Sequence, residues 1–185
     1  MKSLILASAS PRRKELLTLL NIPFQTYSAD IDETIPANIS PQVAVEQLAI
    51  KKAQAVFNAH KQSIVIGCDT IVVHNNSILG KPTDAEEAFS MLSQLSNHTH
   101  AVYTGVCIMS EEKTVVFHER TSVTFWELNQ RDICAYIDSG EPFDKAGSYG
   151  IQGRAALFVK EISGDYYNVV GLPISRLSRE LLHFR

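Results

Sequence analysis

The stretch L-I-L-A-S-A-S-P-R-R-K-E-L-L-T-L-L, Leu4 to Leu20, decides the fold. Leu4 to Ala7 reads as a short buried strand. Ser8, Ala9 and Ser10 make a small-residue turn. Ser10 is a good N-cap, and Pro11 suits the first helical position, where its missing N–H costs nothing. Leu16, Leu17 and Leu20 then share one helical face. Strand, turn and helix start occupy seven residues. A helix start exposes N–H groups and the positive end of a dipole, and both attract anions. Arg12, Arg13 and Lys14 add three cations in the first turn, where cations disfavour the helix. Two readings stand: a solvated basic turn, or a helix start that holds an anion.

Working outward, 185 residues are enough for one domain, or two lobes, with a sizeable core. Apolar residues are 45% and charged residues 20%, ordinary globular usage. A net charge of −3 argues against a dedicated nucleic-acid or membrane-surface binder. No apolar run approaches the length of a membrane span or a signal peptide. Cys68, Cys107 and Cys134 form no C-x-x-C pair and read as reduced thiols of a cytoplasmic protein.

Phe24 to Ser28 reads as a second strand, followed by three carboxylates, Asp30, Asp32 and Glu33. Such a cluster is either a polar turn or an approach to a hard cation. Ser40-Pro41 repeats the cap-plus-proline start, and the helix runs to about Ala59. Val45, Leu48, Ala49, Ala53 and Val56 form its inner stripe, and Lys52 falls on that stripe. Lys52 either snorkels to the edge or aims its ammonium into a cleft. Ser63 to His74 is a strand covered on both faces, with Asp69 in its middle. A lone buried carboxylate is costly, so Asp69 should be paired, hydrogen-bonded or metal-bound. Gly67, two residues earlier, lets something approach the backbone.

Gly80-Lys81-Pro82 is no P-loop: Asn75 stands where its first glycine belongs, and no Ser or Thr follows Lys81. Thr83 and Glu86 suggest a capping box. His98 to Met109 and Thr114 to Trp126 suggest a long hairpin with one wet face, on which His98, His100 and His118 are exposed. Asn129 caps a helix that Gly140 ends. Glycines 147, 150 and 153 imply a tight backbone path, without the dinucleotide spacing and without opening a helix. Leu157 to Ile162 reads as a strand, Gly164 to Tyr167 as a turn. The last helix starts at Leu172-Pro173, with Ile174, Leu177, Leu181 and Leu182 inward.

S-A-S-P-R-R-K-E-L-L, I-D-E, G-C-D-T, L-G-K-P, K-A-G-S-Y-G-I-Q-G and V-G-L-P, in this order, together resemble the Maf family of nucleoside triphosphate pyrophosphatases. The likeness runs from residue 4 to about 182. It implies an α/β fold like that of the inosine-triphosphate pyrophosphatases: a long twisted mixed sheet flanked by helices, its two lobes around a central cleft, in one Maf-like domain over residues 1–185. It implies a cytoplasmic enzyme, usually a homodimer, that needs Mg²⁺ or Mn²⁺. The enzyme cleaves a nucleoside triphosphate to monophosphate and pyrophosphate.

By the same resemblance Asp69 is the proton acceptor. Arg12, Thr70 and Gln152 govern substrate choice, and Glu33, Lys52 and Lys81 line the cleft. Ser8 and Arg13 join the substrate-binding set, and Glu33 with Asp69 would hold the metal. Pro11-Arg12, Asp69-Thr70 and Ile151-Gln152 match the dTTP/UTP branch, not the 7-methyl-GTP branch. Such an enzyme limits or removes pyrimidine nucleotides, normal or modified. The residue types suit that chemistry, because cations neutralise a triphosphate and carboxylates bind a hard cation or take a proton. The alternative is a nucleotide-binding regulator of cell division without turnover, which would keep the cations and lose the acids.

Overall fold

The computed structural model describes residues 2–36 and 39–184. Among the described residues, seven strands form one mixed sheet: β1 (Leu4–Ala7), β2 (Phe24–Thr26), β3 (Ile64–His74), β4 (Ser77–Leu79), β5 (Thr99–Met109), β6 (Thr114–Phe125) and β7 (Val159–Ser163). Their order is β2-β1-β3-β5-β6-β7, with β4 also on β3. β1 pairs in parallel with both β2 and β3, in the register Leu4↔Ile64 to Ala7↔Gly67. β4 and β7 pair antiparallel with β3 and β6. The helices are α1 (Pro11–Thr18), α2 (Pro41–Phe57), α3 (Ala85–Leu95), α4 (Gln130–Ile137), α5 (Tyr166–Val170) and α6 (Ile174–Leu181). The expected α/β class with a mixed sheet flanked by helices is what the chain adopts.

Contacts divide the chain into two compact units. The first holds Met1–Asp69, Thr104–Glu119 and Gly171–Arg185. Ile5, Ala7, Ala49, Ala53, Val65 and Cys107 belong to its core, where α2 lies on β1 and β3. Gly67 is what allows that approach. A Cβ there would stand 2.2 Å from the Ala49 carbonyl oxygen and 2.5 Å from the Ala53 nitrogen. The group that comes close to Gly67 is therefore the chain's own helix. Ser10 caps α1 and Ser40 caps α2, each with proline next, as the sequence indicates.

The second unit holds Thr70–Tyr103 and Arg120–Val170. Leu92, Leu95, Val102, Val123, Phe125, Tyr149 and Phe158 lie in its core. Asn75 and Asn76 both take positive φ in the β3–β4 turn, the conformation a tight hairpin needs. The glycine-rich stretch follows a tight path against its own protein. A Cβ at Gly147 would meet Val72, one at Gly150 the Lys145 stem, and one at Gly153 the Glu141 carboxylate.

Several local expectations are corrected. The cap of α3 is Asp84, which accepts from the Glu87 N–H at 2.8 Å, while Thr83 bonds Glu87 instead of Glu86. Because β5 lies between β3 and β6, it is buried along nearly its whole length, and only β6 alternates. His100 is therefore buried and bonded to the Tyr149 hydroxyl at 2.7 Å. His118 is half-buried and paired with Glu46 at 2.7 Å. His98 is exposed as expected. The glycine stretch does open short helical pieces, 3₁₀ turns at Ala146–Ser148 and Arg154–Phe158. The second of these takes in Leu157, so β7 starts only at Val159. Part of the expected turn at Gly164 to Tyr167 is the start of α5. Leu182 lies beyond α6 and is exposed.

Candidate active site

The site in the first unit grows from three local decisions. Strand β3 buries Asp69, whose residue is only 8% exposed. In a strand, residues two apart share a face. Gly67 faces α2, so Asp69 faces it too. On α2, Lys52 lies seven residues after Val45, two helical turns, and shares its buried stripe. Helix and strand thus aim an ammonium and a carboxylate at each other. Lys52 Nζ stands 2.5 Å from Asp69 Oδ1 and 2.7 Å from Glu33 Oε1. Lys52 therefore does not snorkel to the edge: its ammonium is buried and paired with two carboxylates.

Glu33 reaches this ammonium from the acid cluster after β2, with its side chain half exposed. Asp32, next to it, turns away to accept from the Thr34 N–H at 2.9 Å and hydroxyl at 2.5 Å. Those bonds hold its carboxyl below the usual range. The cluster is thus divided: one acid shapes the turn, and one meets Lys52. An ion pair out of water needs good geometry and satisfied partners, and Lys52 has both carboxylates within hydrogen-bond range.

Arg13 reaches backbone carbonyls. Its Nε donates to the Gly171 carbonyl at 2.8 Å, and its NH1 to the Cys68 carbonyl at 2.9 Å. The same NH1 lies 3.4 Å from Ser8 Oγ. Ser8 is buried, and its hydroxyl also accepts from the Ser10 N–H at 3.2 Å. Arg12, one residue earlier, is half-buried on the first turn of α1. Burial pushes the Cys68 thiol up, so it is no neutral-pH nucleophile.

In the second unit, Thr70 is half-buried on β3, while Lys81 and Gln152 are exposed. The Gly147 N–H donates to the Gly80 carbonyl at 2.9 Å, and Gly147 packs on Val72. The structure therefore joins Glu33, Lys52 and Asp69 directly in one unit. In the other, Gly147 meets Gly80, next to Lys81, and Val72, two residues after Thr70. Sequence reasoning missed the Cys68 and Gly171 carbonyls as partners of Arg13. Backbone acceptors are present at every residue and leave no mark in a sequence.

A profile of a family described as "Maf-like protein" matches residues 3–184. A Bacillus cytotoxicus protein named dTTP/UTP pyrophosphatase is 60% identical over 184 residues, covering 100% of this chain and 96% of its own. A Bacillus cereus (strain G9842) protein of the same name is 58% identical, with the same coverage. Among solved structures, the Staphylococcus aureus Ham1 protein matches with a TM-score of 0.55 at 15% identity, covering 100% of both chains. A HAM1 protein from Coxiella burnetii matches with a TM-score of 0.53 at 19% identity, covering 99% of this chain and 100% of its own. At such identities the likeness is one of fold alone.

Proposed function

The chain belongs to the Maf family, and from that membership we propose that it hydrolyses dTTP and UTP to the nucleoside monophosphate and pyrophosphate. The observation that carries the reading is the buried Lys52 ammonium held between Glu33 and Asp69. A protein that only bound a polyanion would gain nothing from carboxylates there. This argues against the regulator without turnover.

Asp69 takes the proton of the attacking water as the water oxygen bonds to the α-phosphorus. The bond from that phosphorus to the α–β bridging oxygen breaks, and pyrophosphate leaves with the electron pair. Lys52 fixes the direction of the Asp69 carboxylate, so the acceptor is in place before the water arrives. Arg12 and the N–H groups at the start of α1 supply positive potential for phosphate oxygens. The family pattern gives Lys81 the same role, and gives Thr70 and Gln152 the choice of base.

A divalent cation, Mg²⁺ or Mn²⁺, is part of the proposal. Among the described residues no group of three or more His, Cys, Asp and Glu side chains is arranged to hold a metal. Mg²⁺ commonly takes only one or two protein carboxylates and fills its shell with phosphate oxygens and water. Glu33 and Asp69 fit that donor set, since both are hard oxygen donors and stand on the same ammonium. When bound, the cation offsets phosphate charge and makes water more acidic.

No helix among the described residues is long and apolar enough to cross a membrane. The same proposal has the enzyme working in the cytoplasm as a homodimer. Three free cysteines fit a reducing compartment, and the dimer rests on family resemblance. The test is the initial rate of pyrophosphate release over a panel of triphosphates with Mg²⁺ and with Mn²⁺. Rates for dTTP and UTP above dCTP, with purine triphosphates lowest, are expected. Absence of pyrophosphate release from every triphosphate would overturn the reading.

A further inference from the structure

We propose that Arg13 is a positioning residue for Asp69 and not a ligand of the substrate phosphates. The inference deepens the reading of Asp69 as proton acceptor and rests on it. Strand β1 pairs with β3 only as far as Ala7↔Gly67, because the chain then turns into α1. Strand β4 takes up pairing with β3 only at Val72. In that gap stands the Cys68 carbonyl, part of the peptide unit that carries the Asp69 nitrogen. An unpaired buried carbonyl is costly and leaves its peptide plane free to rotate. Arg13 fills the gap, as its NH1 donates to that carbonyl at 2.9 Å.

The guanidinium is itself held. Nε donates to the Gly171 carbonyl at 2.8 Å, just before α6, and Ser8 Oγ lies 3.4 Å from NH1. Three segments far apart in sequence are thus pinned by one planar fork: the β1–α1 turn, the middle of β3 and the turn before α6. A guanidinium suits this, because its donors leave in fixed directions, whereas an ammonium is a single point. The three cations at the start of α1 therefore divide by role. Arg13 turns inward to carbonyls, which leaves the anion reading of the helix start to Arg12 and Lys14.

The test compares Arg13→Lys, Arg13→Gln and Arg12→Ala with the wild type, using dTTP and pyrophosphate release. In the Arg13 variants kcat should fall on the order of 10²-fold, since a displaced catalytic group costs that much. Their KM for dTTP should stay within about threefold, because no ground-state contact is lost. Arg13→Lys keeps the charge yet should not restore kcat, while Arg12→Ala should raise KM. Hydrogen exchange at the amides of residues 68–70 should be faster in Arg13→Lys than in the wild type. A raised KM with kcat retained would make Arg13 a phosphate ligand and overturn the proposal. Wild-type kcat in Arg13→Lys, or unchanged exchange at residues 68–70, would overturn it equally. A wild type that turns over no dTTP would count against the enzymatic reading, while exchange would still test the brace.

Discussion

Lys52 Nζ and Asp69 Oδ1 lie 2.5 Å apart, joining the inner stripe of α2 to the middle of β3. The two side chains are 10% and 12% exposed, so each depends on the other for replacing lost water. Asp69→Asn should keep the fold and lose turnover by at least about 10²-fold, since an amide cannot take the proton. Lys52→Met should also lose turnover, and should cost stability of about 3 kcal/mol by leaving the Asp69 charge buried alone. In the double variant, Lys52→Met with Asp69→Asn, part of that stability should return. Urea unfolding of all four proteins checks the cycle, and strictly additive losses would deny the pair.

Gly67→Ala should separate helix from strand. The added Cβ meets backbone at 2.2 Å and 2.5 Å, and backbone cannot swing aside like a side chain. A loss of about 1–3 kcal/mol is expected, together with a fall in kcat as Lys52 shifts from Asp69. Unchanged melting temperature and turnover would show that α2 yields without cost.

Chelation should arrest the enzyme reversibly. EDTA should stop pyrophosphate release, and added Mg²⁺ or Mn²⁺ should restore it. Glu33→Gln should raise the Mg²⁺ concentration that gives half the maximal rate, because an amide oxygen is a weaker ligand for a hard cation. Full turnover in EDTA, with metal content measured by mass spectrometry, would remove the cation from the proposal.

Gln152→Ala should narrow the preference for dTTP over dCTP. Thymine and uracil present an N3–H beside carbonyl oxygens, and a glutamine amide offers an acceptor and donors to match. Losing that pairing should cost on the order of 1–3 kcal/mol in kcat/KM for dTTP. The ratio of kcat/KM for the two nucleotides, at fixed metal, is the readout. An unchanged ratio would mean that Gln152 does not read the base.

His100 should make the second unit acid-sensitive. Burial, aided by His74, lowers its pKa from 6.5 to about 3. Below pH 6.5 the unfolded chain takes up a proton that the folded chain refuses. Stability from this residue is therefore complete above pH 6.5 and lost as pH falls toward about 3. One such group contributes a slope of about 1.4 kcal/mol per pH unit. His100→Phe should flatten the stability curve across that window, whatever it costs at neutral pH through the lost Tyr149 bond. Chemical unfolding at several pH values measures it, and an unchanged slope would assign the acid loss elsewhere.

Whatever depends on neighbours along the chain was legible in the sequence. Ser10-Pro11 and Ser40-Pro41 start helices because a hydroxyl and a fixed φ act within one turn. The helical repeat alone sets Lys52 on the inner stripe, and an apolar run alone buries Asp69. The motifs, in their order, resemble the family whose profile matches residues 3–184. Tertiary structure decided what each of these groups meets. Only the packing of α2 on β3 shows that Lys52 reaches Asp69 and Glu33. Only the place of β5 between two strands buries His100. Arg13 is the sharpest case, for its charge suggested a phosphate and its partners include the carbonyls of residues 68 and 171. The physical reason is common to all three. Periodicity fixes the side on which a residue emerges, while its partner depends on distances between segments remote in sequence. Where that partner is a backbone carbonyl, no residue type marks it.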